Sequence, residues 1–290
     1  MLEGVYDLHV HTGPDVMNRK LDDLEMAERM RNLGMKGFVI KSHYFCSAER
    51  ARLTRKLVPE VQAMGAIVLN NSVGGLNPMA VEMAARDGAK VVWMPTFDAE
   101  NEQEHFRKGK HKKLPYWAML QQELLAQGKT ASSITLLEGS NLKKVVYDVL
   151  DIISYHDLIL ATGHLGWEEI FALVKAARDK NIKKIVITHP NFPSVNLSKE
   201  QQKTLADLGA FHEHVFTTPY TNKITWETMY EQIRYVGPEK CILSTDLGQP
   251  NSLYPDEGMK MFISNLLSNG FSKEEVQRMT KENPAYLVES

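Results

Sequence analysis

The sequence predicts a (β/α)8 barrel (a TIM barrel), in which eight parallel strands alternate with helices. Eight apolar runs rich in β-forming residues alternate with helical patterns, and six of the seven intervals between strand ends have about the length of one β-α unit. No glycine-rich dinucleotide fingerprint follows these runs, which argues against a doubly wound sheet. The predicted strands are Val5–His11, Gly37–His43, Ala66–Ser72, Lys90–Thr96, Leu158–His164, Lys184–His189, Phe211–Thr217 and Lys240–Asp246.

The helical patterns have apolar residues at three- and four-residue spacing. Ser47 is a candidate N-cap, Pro78 stands at a first-turn position, and Ser272 with Glu275 forms a capping-box pattern. The predicted helices cover Leu21–Leu33, Ser47–Met64, a stretch that begins at Asn77-Pro78, Trp167–Lys180, Ser198–Leu208, Thr225–Tyr235, Asp256–Leu267 and a last helix from Ser272.

One interval, approximately residues 98–157, is longer than the others and predicts an insertion between strands four and five of a single barrel domain over 1–290. Its first half is very polar, and we interpret the basic run Arg107–Lys113 as a solvated surface loop in preference to a contact with an anionic substrate. The insertion follows a strand and so belongs to the face where barrel active sites occur, as a lid or a dimer contact. The elements predicted in its second half are a helix Pro115–Ala126, a strand Ile134–Leu137 and a helix Leu142–Ser154.

Composition narrows the class of protein. Hydrophobic residues make up 43% of the chain, enough for a large core, and the net charge of −2 gives no bias towards nucleic acid or an anionic membrane. No apolar run approaches the roughly 20 residues of a membrane helix, and no signal peptide is visible. Two distant cysteines, Cys46 and Cys241, fit a reducing compartment. We therefore expect a cytoplasmic protein that acts on a small molecule, without nucleic acid or membrane as a partner.

Polar side chains end five of the predicted strands, and a closed barrel brings strand ends together around one mouth. Residues i and i+2 of a strand share a side, so that His9 and His11 can reach one ion. Imidazole and carboxylate bind Zn²⁺ and related ions, and a bound ion lowers the pKa of its water to about 7. A carboxylate beside that water can accept its proton. The strand-end residues are His9, His11, Lys41, His43, His164, His189 and Asp246.

One histidine at a strand end is more often an ordinary polar residue than a ligand, but five in one barrel favour a metal site. We predict that Asp246 is both a ligand and the catalytic proton acceptor, that Lys41 and His189 take part in catalysis, and that His43 contacts the substrate. The predicted metal ligands are His9, His11, His164, His189 and Asp246.

Strand seven is ambiguous, because either Glu213 faces the interior or His212 and His214 do. We favour Glu213, as a substrate contact, since Phe211 and Val215 would share its side. The three histidines of the insertion are interpreted as surface residues: His105, His111 and His156.

In order and spacing, these motifs resemble those of the amidohydrolase superfamily of metal-dependent hydrolases, over essentially the whole barrel. The resemblance implies that His9, His11 and Asp246 hold one metal, and that His164 and His189 hold a second metal or face the substrate. It implies one or two divalent ions, with zinc preferred over manganese or iron, and a homo-oligomer. The motifs that carry the resemblance are His9-Val10-His11, His164, His189, Asp246 and Asn283-Pro284-Ala285.

The chain departs from the superfamily at strand four, where binuclear members usually carry a carboxylated lysine or a glutamate. Here that strand ends in Trp93-Met94-Pro95-Thr96. Lys41, on strand two, is the strand-end lysine in a comparable place. It would bridge two metals as a carboxylated lysine, or stay cationic and bind a substrate anion, or the site would hold a single metal.

The leading hypothesis is a divalent-metal hydrolase that activates water for attack on a C–N, C–O or lactone-type bond. A phosphoesterase of the polymerase-and-histidinol-phosphatase type is an alternative, although that type usually ends in Asp-X-His and Asp246 is followed by Leu247-Gly248. A mononuclear lyase or decarboxylase is another alternative. A non-enzymatic metal-binding protein is the least favoured hypothesis.

Overall fold

The computed structural model describes residues 1–109, 114–129 and 132–289, and eight parallel strands form its main sheet. The order is β1-β2-β3-β4-β7-β8-β9-β10, and the two edges meet where the His11 N–H donates to the Leu247 carbonyl at 2.8 Å. The predicted (β/α)8 barrel is therefore confirmed. The barrel strands are β1 Tyr6–Val10, β2 Gly37–Ile40, β3 Gln62–Val68, β4 Ala89–Trp93, β7 Ile159–Ala161, β8 Ile185–Thr188, β9 Phe211–Val215 and β10 Cys241–Ser244.

Helices follow the strands on the outside, and a two-stranded antiparallel hairpin, β5 Leu137–Glu138 and β6 Asn141–Leu142, lies in the insertion. None of the helices in the described ranges combines the length and apolar character needed to cross a membrane. The helices are α1 Asp23–Asn32, α2 Ala48–Leu57, α3 Pro78–Arg86, α4 Glu100–Lys108, α5 Tyr116–Ala126, α6 Lys144–Tyr155, α7 Trp167–Asp179, α8 Lys199–Asp207, α9 Thr217–Tyr220, α10 Trp226–Val236, α11 Pro255–Ser268, α12 Lys273–Gln277 and α13 Asn283–Glu289.

The barrel interior is a packed apolar core below the mouth. Leu8, Val39, Trp93 and Ile159 belong to this inner cluster, and Leu287 of α13 closes its lower end. Two larger clusters fill the space between the strands and the surrounding helices. Because the interior is filled with side chains, the barrel is a packed core and not an open channel.

The prediction for the second helix and third strand was wrong in its boundaries. Helix α2 ends at Leu57 instead of Met64, and β3 begins at Gln62 instead of Ala66. Pro59 explains the early stop, because a proline disfavours helical backbone at the residue before it. Val58 accordingly leaves the helical region, with φ of −130° and ψ of 74°.

The predicted surface loop Arg107–Lys113 is exposed in its described part, but Arg107 and Lys108 are the last residues of a helix instead of a loop. Residues 100–108 form α4, an amphipathic helix whose Glu102 is buried while His105 is exposed. The predicted strand Ile134–Leu137 is reduced to an isolated bridge between Ala99 and Ile134, followed by β5. Residues 110–113, which include His111 and the end of the predicted basic run, lie outside the described residues.

Candidate metal centre

Strand β1 places His9 and His11 at the mouth of the barrel. The pairing register of β1 against β2 shifts between Asp7 and Val10, and both imidazoles lie inside with ring centroids 5.4 Å apart. Nε2 of each ring is 3.1 Å from Oδ1 of Asp246. These three donor atoms lie within 4.8 Å of one another, so that they form a group able to hold one metal ion.

Asp246 follows β10 in the left-handed backbone region, with φ of 55°, which is uncommon for a residue other than glycine and often marks a functional site. Its N–H donates to the His9 carbonyl at 2.9 Å, and its Oδ2 accepts a hydrogen bond from the Thr217 hydroxyl at 3.1 Å. Burial opposes the ionised carboxylate, but His9 and His11 outweigh burial and hold the pKa of Asp246 well below its usual range. The carboxylate is therefore ionised at neutral pH, as a metal ligand must be.

Both histidines of β1 are oriented through Nδ1. His9 Nδ1 is 2.9 Å from Glu213 Oε2, and His11 Nδ1 is 2.8 Å from the Lys41 carbonyl oxygen. An acceptor at Nδ1 holds the ring proton there and leaves the Nε2 lone pair for a metal. Burial lowers the pKa of His11 to about 3, so that this ring is neutral at physiological pH.

Strand β9 points Glu213 into the barrel, as predicted, while His212 and His214 are buried on the other side. Glu213 Oε1 also accepts a hydrogen bond from the Ser244 hydroxyl at 3.0 Å, and the residue is 1% exposed behind His9. The sequence-based assignment of Glu213 to substrate binding is therefore revised. Its position fits a residue that orients His9.

Lys41 lies directly beside this group. Its Nζ is 2.9 Å from His9 Nε2 and 5.1 Å from the centre of the Trp93 ring, and the residue is 1% exposed. No carboxylate in the described part of the chain forms an ion pair with it. Burial lowers the pKa of this amine to about 8.

His164 follows β7 and is held by close backbone contacts. Its N–H donates to the Pro95 carbonyl at 3.0 Å, and a Cβ on Gly163, where φ is 62°, would meet the Met94 carbonyl oxygen at 2.4 Å. Only glycine fits there. His164 Nδ1 is 3.1 Å from Glu102 Oε2, which leaves Nε2 of a third imidazole free.

His189 follows β8 with φ of 27°. Its ring centroid is 4.9 Å from that of His164 and 6.0 Å from that of His9. Nδ1 of His189 is buried and has no hydrogen-bond partner among the described residues. An unpaired buried nitrogen is costly, and this one lies beside the other histidines, so it fits a further ligand atom of the site.

His43 stacks on His11 with ring centroids 4.9 Å apart, at the edge of the cavity. Its Nδ1 is 2.9 Å from the Thr96 hydroxyl, and Asn70 Nδ2 donates to that hydroxyl at 2.7 Å. Thr96 lies three residues after the end of β4, the strand on which the resemblance would place a lysine or a glutamate. Here the segment after that strand positions His43.

Sequence reasoning missed Glu102 and its neighbour Asn101. The side chain of Asn101 donates to the His164 carbonyl at 3.0 Å and to the Ser194 carbonyl at 2.8 Å. Glu102 accepts hydrogen bonds from His164 and from the Ser194 hydroxyl, and these outweigh burial and lower the pKa of its carboxyl. Helix α4 of the insertion thus joins the loops after β7 and β8. The one signal in the sequence was the amphipathic spacing of residues 100–108.

A cavity of about 340 Å³ opens above these residues. Its floor includes the imidazoles and Asp246, its walls include Phe97 and Trp117, and Lys223 stands at its mouth. The volume suits a small molecule. His156, predicted to be a surface residue, lies apart from this site and contacts Glu82 at 3.0 Å.

Comparison with known proteins gives a family. Residues 4–213 match the model described as "Family of unknown function (DUF6282)". The chain belongs to DUF6282. No curated protein matches it in sequence.

Solved structures share the fold of this DUF6282 chain at low sequence identity. An amidohydrolase from Pseudomonas aeruginosa is 12% identical with a TM-score of 0.65, over 99% of this chain and 95% of the other. A metallo peptidase from Rhodobacter sphaeroides, liganded with a phosphinate mimic of L-Ala-D-Ala, is 11% identical with a TM-score of 0.62, over 100% and 99%. An organophosphorus hydrolase from Deinococcus radiodurans is 12% identical with a TM-score of 0.62, over 98% and 92%. The resemblance to the amidohydrolase superfamily is confirmed at the level of the fold, and these neighbours are hydrolases.

Proposed function

We propose that this DUF6282 protein is a divalent-metal-dependent hydrolase of a small molecule, which cleaves a C–N, C–O or lactone-type bond. One observation carries the proposal: Nε2 of His9, Nε2 of His11 and Oδ1 of Asp246 lie within 4.8 Å of one another, with each ring oriented through Nδ1. That set of donors suits zinc, and manganese or iron as alternatives.

The unpaired Nδ1 of His189 and the free Nε2 of His164 supply further donors beside the first three. We assign His9, His11 and Asp246 to one ion, and His164 and His189 to a second ion or to the substrate. Where a second ion binds, Lys41, whose Nζ is 2.9 Å from His9 Nε2, would be a further ligand in its carboxylated form.

A divalent ion in this group would lower the pKa of a bound water to about 7 and polarise the substrate carbonyl. Asp246 accepts the proton of the attacking water at Oδ2, which the Thr217 hydroxyl holds in place, and passes it to the leaving group. His43 and the aromatic walls contact the substrate and exclude bulk water from the cleaved bond.

Elemental analysis of protein purified without chelator, combined with turnover of esters, lactones, amides and phosphoesters, tests this function. We expect one or two divalent ions per chain and turnover that chelation abolishes and added metal restores. Asp246→Asn should abolish turnover while the unfolding transition persists. Asp148→Asn, an exposed change on α6, is the matched control and should leave turnover unchanged. A protein that takes up no metal, even when metal is added, would contradict the proposal.

A further inference from the structure

The charged groups that line the cavity differ in how they are paired. Arg19 is held by Asp15, with Nε at 2.7 Å and Nη2 at 2.6 Å from Oδ2. Asp246 faces His9 and His11, as described above. Two lysines of this cavity form no ion pair with a carboxylate in the described ranges, namely Lys41 and Lys223. Lys41 belongs to the candidate metal centre, because its Nζ is 2.9 Å from His9 Nε2, whereas the ammonium of Lys223 lies 4.2 Å from the centre of the Phe192 ring.

The position of Lys223 is fixed by its neighbours. It lies in the loop between α9 and α10, which follows β9 and therefore stands at the mouth of the barrel, and its N–H donates to the Thr218 carbonyl at 3.0 Å. The Phe192 ring beneath it packs on His189 and His164, with centroid distances of 4.7 and 5.5 Å. One aromatic ring thus separates the ammonium from the candidate metal centre.

Part of the cavity wall is aromatic. The rings of Phe97 and Trp117 are stacked, with centroids 5.9 Å apart and an interplanar angle of 6°. Tyr44 packs against Phe97 at 5.5 Å. This wall offers a flat apolar surface to a bound molecule, and Lys223 offers one positive charge near it.

We infer that the substrate of this site is a small carboxylic acid with an apolar or aromatic body, whose carboxylate binds Lys223 while its scissile bond lies over the histidines. This inference rests on the proposed function for the scissile bond, but the binding step stands by itself. An unpaired ammonium at the mouth of a partly apolar cavity gains a charge-assisted hydrogen bond when a carboxylate arrives. A neutral amide of the same shape offers no such charge.

Calorimetric titration of the metal-loaded protein tests the inference with benzoate and phenylacetate, each compared with its neutral amide. Lys223→Met removes the charge and keeps an unbranched side chain that is shorter by one atom. We expect the wild type to bind each acid more tightly than its amide, and Lys223→Met to bind the acids about tenfold more weakly. Binding of the amides should not change. Lys260→Met, an exposed change on α11, is the control and should match the wild type.

Three results would overturn the inference: no acid binding by the wild type, no preference for acid over amide, or equal acid affinity in Lys223→Met and wild type. The last result would mean that the carboxylate binds the metal instead, and acid binding would then disappear in metal-free protein. These measurements need no turnover. If the acids bind in a Lys223-dependent way but the substrate panel shows no turnover, the proposed hydrolase is refuted and the acid site is kept. If only neutral substrates are turned over and acid binding does not depend on Lys223, the hydrolase is kept and the acid site is refuted.

Discussion

Replacement of Glu102 by glutamine tests whether the insertion orients the metal centre. Glu102 Oε2 accepts hydrogen bonds from His164 Nδ1 at 3.1 Å and from the Ser194 hydroxyl. A single oxygen therefore holds both the His164 ring and the loop after β8. Glutamine keeps the shape and one acceptor oxygen but removes the charge. The perturbation is therefore electrostatic and leaves the packing of α4 unchanged.

The magnitude follows from the kind of hydrogen bond that is lost. A bond to a charged group contributes about 1.5–3 kcal/mol and a neutral one about 0.5–1.5 kcal/mol, so that each bond loses about 1 kcal/mol. Partners that orient metal ligands typically change metal affinity 10- to 100-fold when they are removed. Because glutamine still accepts a bond, we expect a loss of metal affinity of about tenfold, near the lower end of that range.

Metal affinity is measured by competition with a chelator of known affinity, which needs no substrate. Glu104→Gln is the matched control, since Glu104 lies on the same helix, is exposed and pairs only with Lys108 among the described residues. The control should keep the wild-type metal affinity and the wild-type unfolding midpoint. Glu102→Gln should lower the unfolding midpoint modestly, because two buried hydrogen bonds each lose about 1 kcal/mol. Equal metal affinity of Glu102→Gln and Glu104→Gln would refute the assignment of Glu102 as a positioning residue.

Further substitutions test the metal site and the packing of the core independently. Lys41→Ala should lower the metal content per chain if Lys41 is a shared ligand, whereas normal metal with weakened substrate affinity would support a cationic role; elemental analysis and substrate titration distinguish the two results. Leu160→Ala removes a side chain on β7 that is 0% exposed and should reduce the free energy of unfolding by about 2–5 kcal/mol in urea titration. Leu125→Ala, 61% exposed on α5, should change it by less than about 0.5 kcal/mol, and equal effects would contradict the packing of the core.

The sequence predicted the site residues that stand at the ends of apolar strands. Burial of an apolar run delivers the residue at its end to one rim, so that His9, His11, His164, His189 and Asp246 could be placed around one mouth without knowledge of side-chain contacts. The side on which Glu213 lies also followed from strand alternation. These inferences depend only on periodicity and on closure of the sheet.

Contacts across long sequence distances were out of reach. Glu102 looks like any surface glutamate in a polar segment, and its burial depends on α4 packing against loops that follow β7 and β8. The role of Glu213 was misjudged for a related reason: alternation gives the side of the sheet but not the depth at which His9 would cover the carboxylate. The boundary of β3 was a different case, since Pro59 was a local signal that the helical periodicity obscured.

The charge of Lys41 decides how the site can hold metal without a carboxylate on the fourth strand. Two unit charges about 4 Å apart repel by about 4 kcal/mol at an effective dielectric constant of 20, and a doubly charged ion doubles this to about 8 kcal/mol. An ammonium 2.9 Å from His9 Nε2 would therefore oppose any ion bound by that nitrogen. Addition of the neutral amine to carbon dioxide, with loss of a proton, gives a carbamate and turns this repulsion into attraction. The buried carboxylates nearby already face imidazoles and hydroxyls. Lys41 is therefore the residue whose change of charge would allow a second ion. For this reason we propose that Lys41 is carboxylated in the metal-loaded protein.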